Sequence, residues 1–366
     1  MKNEQRRPPI LSIQVLRALA ALMIVLLHTL LEAKSIHFLP QIRLDRSSTL
    51  NMGVDLFFVI SGFVIALSST DLFQQAGGAR RFLLRRMARV IPLYWTATTL
   101  FLIVMFFSPD VLHSEAGSRW DVLRSYCFIP YGPDLSPVYK LGWTLNYEMF
   151  FYVCFASVLF LPRVRAVVGL TILFWGLTVA GMVFRPENSM LRFWTGSIIL
   201  EFVMGAWIGL AFVRQIKISR FWAATVMTLA VALVLSGVWS DPGGLLGRSL
   251  CWGLPGALFV AGSTLGDFTA NFAGLTPLVY LGDASYTLYL CHPFTLRLVK
   301  EVWLHTTPFS GAGLLGYLLG SLTTTVVVAC LVHRYFERPL TRLVQNLFGV
   351  DGRQPVGSTG LPESGR

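Results

Sequence analysis

Residues Leu11–Leu31 read LSIQVLRALAALMIVLLHTLL, an apolar run long enough to cross a bilayer, for which about 20 residues are needed. Lys2, Arg6 and Arg7 precede it, as basic residues precede a secretory leader. Two features argue for a permanent span instead. No small-x-small cleavage site follows, because Leu31-Glu32-Ala33 has a leucine in the first place. The run also holds Arg17 and His28, which a disposable leader has no reason to carry.

The rest of the chain continues the pattern. Of 366 residues, 54% are hydrophobic and 13% charged, a balance with too little polar surface to clothe a soluble fold. Apolar windows recur near 12–33, 52–69, 90–108, 143–161, 166–184, 196–213, 221–239, 247–264, 278–299 and 312–335. The expected fold is therefore all-α, a polytopic membrane bundle of about ten transmembrane helices over residues 1–348, with a disordered Gly/Ser/Pro-rich tail at 349–366. The formal charge of +11 is dispersed in short clusters between spans, without the basic-aromatic patch that nucleic-acid binding requires. Alternate loops differ in Lys and Arg, which places both termini in the cytoplasm of a multi-pass bacterial inner-membrane protein. Asp45, Asp110, Glu115, Asp121, Asp134 and Glu187 fall in the opposite loops. The longest of those, Ser108–Gly142, is aromatic and reads equally as an interfacial lid or a substrate-facing segment. Five cysteines without CxxC spacing argue for neither a disulfide framework nor a metal site.

Ionisable groups inside spans are expensive, so each requires a reason. Arg17 and His28 are separated by about 16 Å along the helix axis and only about 20° around it, so they share a face. The third span is entered through RRFLLRRMAR, residues 80–89, where Arg86 and Arg89 lie one turn apart. They read either as a bidentate phosphate grip or as lipid-headgroup contacts. Glu148 follows Trp143 in the fourth span and Asp55 opens the second; for Asp55, function and packing are equally good explanations. Ser285, Tyr289 and His292 line one stripe of the ninth span. On this topology His28, Asp55, Glu148 and His292 fall at comparable depth in the outer half. An imidazole beside a carboxylate is what general-base attack by a hydroxyl needs. His37, His113, His305 and His333 read as surface histidines.

Taken in order, these pieces resemble the acyltransferase-3 family of integral membrane proteins, which includes O-antigen and exopolysaccharide acetylases. The carriers are Arg17 with ten residues before His28, FFVISGF ending at Phe63, Arg86-x-x-Arg89, Trp143-Thr-Leu-x-x-Glu148, the Leu281–His292 stretch and Glu337-Arg-Pro. The chain is most similar to the stand-alone exopolysaccharide type, since only a short tail follows the last span. Thr144 stands where the family commonly has Ser, and the hydroxyl is kept. The resemblance implies an acyl-CoA co-substrate, acetyl-CoA first, no metal, and a carbohydrate acceptor, possibly lipid-linked. It puts Arg17, Arg86 and Arg89 on the donor side and His28 with Glu148 in the catalytic region. Asp55 and His292 are expected beside them, with Trp143, Ser285 and Tyr289 contacting substrate. The rival class is a carrier of a lipid-linked sugar or organic anion, which also buries such groups in a bundle.

Overall fold

A computed structural model describes residues 10–36, 49–107, 118–131, 136–236, 247–266, 273–306 and 311–350. Asp45, Asp110, Glu115, Asp134, His37, His113 and nearly all of the expected tail lie outside them. Among the described residues there are helices and no strands. In chain order they are α1 Leu11–Ser35, α2 Met52–Ser68, α3 Gly78–Phe107, α4 Arg119–Tyr126, α5 Trp143–Val158, α6 Arg163–Phe184 and α7 Ser189–Trp194. There follow α8 Ile199–Val213, α9 Arg220–Ser236, α10 Leu254–Leu265, α11 Thr276–Asp283, α12 Ser285–Thr306, α13 Gly311–Val332 and α14 Arg338–Leu347.

The chain is a membrane protein, but the count of ten spans is not what the helices deliver one by one. Among the described residues, six helical segments are long and apolar enough to cross a bilayer: Leu11–Ser35, Thr49–Ser68, Gly78–Phe107, Arg163–Phe184, Ser189–Val213 and Gly313–Leu347. Arg220–Ser236 and Ser249–Leu265 are apolar but shorter. The other two expected windows have local causes. The fourth starts at Trp143, as expected, but its helix ends at Val158 after 16 residues. The ninth is divided at Ala284, and its longer part, the 22-residue α12, carries Arg297, Lys300 and Glu301 and is less apolar than the six.

Close helix crossings position the centre of the bundle. A Cβ on Gly62 of α2 would stand 2.0 Å from the Phe202 carbonyl oxygen of α8, and one on Gly205 would stand 1.9 Å from that of Val59. The small residues read from FFVISGF are thus where two backbones touch, and Phe58, Phe151 and Phe202 fill the adjacent core. Gly282 makes a similar approach, its Cβ position lying 2.0 Å from the Gln14 carbonyl oxygen. That contact brings the α11–α12 break against the first turns of α1. Many apolar side chains on α6 and α9 face outward, among them Ile172, Phe184, Phe221 and Leu235, as lipid-facing helices do.

Part of the segment expected as a lid or substrate loop is ordered helix. Ser118 and Asp121 form a reciprocal capping box at the start of α4. The segment then docks along α3, through Trp95 Nε1 to the Tyr126 carbonyl at 3.0 Å and Thr99 to the Tyr126 hydroxyl at 2.6 Å. Residues 108–117 and 132–135 of that connection lie outside the described part.

Candidate active site

Of the five arginines at residues 80–89, two turn inward. Arg85 pairs with Asp71 at the surface, whereas Arg86 and Arg89 line a cavity of about 110 Å³ that Arg17 enters from α1. Arg86 hydrogen-bonds the Ser68 hydroxyl, and Arg17 is steadied by Gln14 at 3.2 Å. Glu148 and Tyr152 of α5 stand in the same cavity, the tyrosine donating to the carboxylate at 3.0 Å. Ser285, Tyr286 and Tyr289 of α12 complete it.

Glu148 is therefore not beside His28. The expectation of a shared depth fails because α5 starts deep in the bundle: Gly142, just before it, packs against the Tyr94 hydroxyl, only five residues beyond Arg89 on α3. Glu148 consequently faces guanidinium groups and lies within electrostatic reach of Arg86 and Arg17.

His28 meets His292. Their ring centroids are 4.8 Å apart. His28 Nδ1 lies 2.9 Å from the Ile24 carbonyl, and His292 Nδ1 lies 3.2 Å from the Leu288 carbonyl. A carbonyl oxygen can only accept, so Nδ1 carries the hydrogen in each ring and Nε2 holds the basic lone pair of the neutral form. Pro293 in the same helix leaves the Tyr289 carbonyl without its usual backbone donor. His292 is fully buried, and its Nε2 makes no hydrogen bond.

Tyr289 stands between the two places. Its ring lies 6.1 Å from that of His292, and its hydroxyl accepts from Thr144 at 3.1 Å and donates to the Leu141 carbonyl at 3.2 Å. The cavity is lined by Tyr289 and Thr144 but by neither histidine.

Asp55 belongs to a different cluster. Arg248 grips it with two bonds of 2.8 and 2.9 Å, and the guanidinium lies over the Trp143 and Trp252 rings at 5.4 and 5.1 Å. Buried Glu201 packs against the same carboxylate. Trp143 accordingly faces Arg248 and Phe58 rather than the arginine-lined cavity. The sequence reading missed Glu201 and Arg248, although an acid in ILEFVMGAW is as anomalous as those it did flag.

His333 is a correction too. It is 5% exposed and bonds Glu337 at 2.6 Å in a π-helical turn, His333–Glu337, while Thr287 donates to the same carboxylate. His305 is exposed, as expected.

Residues 10–334 match the acyltransferase domain by which the acyltransferase-3 family is defined. The chain belongs to that family. It is 31% identical to the exopolysaccharide production protein ExoZ of Rhizobium meliloti over 304 residues, covering 79% of this chain and 89% of that protein. It is 26% identical to the acyltransferase MdmB of Streptomyces mycarofaciens, over 85% of this chain and 84% of the relative. Similarity to the peptidoglycan O-acetyltransferase OatA of Listeria monocytogenes is 24%, over 80% of this chain but 51% of OatA. No solved structure matches. The family assignment makes the chain an acyltransferase, and the arginine-lined cavity, Tyr289 and the histidine pair are its candidate working parts.

Proposed function

We propose that this acyltransferase takes an acyl group, acetyl first among them, from cytoplasmic acyl-CoA and delivers it to a hydroxyl of an exopolysaccharide or other cell-surface carbohydrate. The observation that carries the reading is the placement of two imidazoles, each with a basic Nε2, one tyrosine ring beyond a cavity edged by Arg17, Arg86 and Arg89. Guanidinium groups are suited to the phosphates of CoA because their fork matches phosphate oxygens. In this reading the thioester end of the donor enters the cavity and its nucleotide stays at the cytoplasmic mouth. The names of ExoZ and OatA support a polysaccharide acceptor.

In the reaction, the Nε2 of one histidine removes the acceptor hydroxyl's proton as its oxygen attacks the thioester carbonyl. The tetrahedral centre collapses with cleavage of the carbon–sulfur bond, and the proton passes to the departing CoA thiolate. Tyr289 and Thr144 must part for the thioester to reach the pair.

The test uses protein reconstituted in vesicles with radiolabelled acetyl-CoA. His28→Ala is expected to lower transfer to polysaccharide by at least about a hundredfold, the usual contribution of a general base, with insertion and thermal stability preserved. Full activity of the purified variant would refute the assignment.

A further inference from the structure

Beyond the histidine pair, on the side away from the arginine-lined cavity, the same two helices carry a second group of charges. Glu32 lies one turn past His28 on α1, a rise of about 6 Å. Arg297 and Lys300 lie five and eight residues past His292 on α12. Lys300, 8% exposed, bonds Glu32 and the Ser35 hydroxyl, each at 2.8 Å. Arg297 lies 4.0 Å from Glu32 and 3.6 Å from Glu301. Trp303 stands one turn further along α12, edge-on to Tyr317 with ring centroids 5.7 Å apart.

We infer that Glu32, Arg297, Lys300 and Trp303 form the acceptor subsite, and that it takes a neutral, polyhydroxylated sugar unit. The inference rests on the acyl-transfer reading above and names the acceptor for it. Position is the first argument: an acceptor arriving opposite the donor must cross this cluster before its hydroxyl meets the imidazoles. Charge is the second. Two cations stand with two carboxylates, Glu32 and Glu301, so the cluster has no net field with which to select an anion. It instead offers donors and acceptors side by side, which a sugar hydroxyl uses together because it both donates and accepts. The third argument is unmet bonding. Trp303 Nε1 is a buried atom without a hydrogen-bond partner, and buried donors are ordinarily paired. The flat indole adds an apolar face for a pyranose ring.

The competing role is structural, a Glu32–Lys300 ion pair that merely ties α1 to α12. To separate the two, purified protein in vesicles is given radiolabelled acetyl-CoA and base-deacetylated surface polysaccharide from cells lacking the chain, split by anion exchange into neutral and acidic fractions. Wild-type protein is expected to label the neutral fraction. Glu32→Gln and Lys300→Met should each raise the polysaccharide concentration for half-maximal rate by about tenfold, as loss of one charge-assisted hydrogen bond does, with the acetyl-CoA KM unchanged. Acceptor-free hydrolysis of acetyl-CoA should persist in both variants. Label confined to the acidic fraction overturns the proposal, as does an unchanged acceptor requirement. So does a joint fall in thermal stability and in use of both substrates, the mark of a tie between helices. Absence of transfer by the wild-type protein to either fraction sinks the acyl-transfer reading itself, whereas wild-type transfer with unaffected variants removes the subsite alone.

Discussion

Substitution of Asp55 decides whether that residue serves chemistry or architecture. Its carboxylate is fully buried and receives both arms of Arg248, whose side chain is 26% exposed and lies over two tryptophan rings. Removing one member of a buried ion pair costs about 3–5 kcal/mol, because the other charge is left without compensation. Arg248 keeps some contact with solvent and its cation–π contacts, so the lower end, about 3 kcal/mol, is expected for Asp55→Leu. Arg248→Met should cost a similar amount. The double variant removes both charges and should be less damaging than the two single changes added together, with a coupling of about 1–3 kcal/mol. Unfolding of the four proteins in detergent supplies the cycle, and transfer assays on each give activity. The reasoning fails if Asp55→Asn keeps full stability yet abolishes transfer, since the carboxylate would then act in the reaction rather than hold Arg248.

Other substitutions probe the remaining joints. Gly62→Ala forces a Cβ onto the Phe202 carbonyl and should destabilise the bundle by at least about 1–3 kcal/mol, read as a lower unfolding midpoint; unchanged stability would disprove the close crossing. Arg89→Lys loses the planar fork and should raise the acetyl-CoA KM about tenfold, leaving acceptor use unaltered; an effect confined to the acceptor would remove Arg89 from the donor side. Tyr289→Phe deletes the bonds to Thr144 and Leu141, worth about 1 kcal/mol each, and should speed acetyl-CoA hydrolysis in the absence of acceptor. No change in that hydrolysis would mean that Tyr289 does not separate the cavity from the histidines.

Much was legible without coordinates because helical periodicity and the cost of buried charge are local rules. Apolar runs separated by basic loops determine a helical membrane protein. Arg17 and His28 are placed on one face by helix geometry alone, and the i, i+4, i+7 spacing of Ser285, Tyr289 and His292 sets that stripe, two of whose members line the cavity while the third meets His28. The order of short motifs was enough to point to the acyltransferase-3 family that the comparison established.

Depth across the bundle was a tertiary decision. Sequence position along a span gives depth only if every span starts at the membrane surface, and α5 starts beside Tyr94 inside the bundle, which carries Glu148 to the arginines. The partner of Asp55 is 193 residues away, at the start of the apolar window 247–264, so no local pattern pairs Arg248 with it. His333 reads as a surface residue at a helix end until α12 brings Thr287 against Glu337 and closes a buried site around it. Spacing along the chain specifies which groups share a helix face; which groups on different helices meet is set by backbone contacts at residues such as Gly62 and Gly282, where the absence of a side chain lets two helices approach.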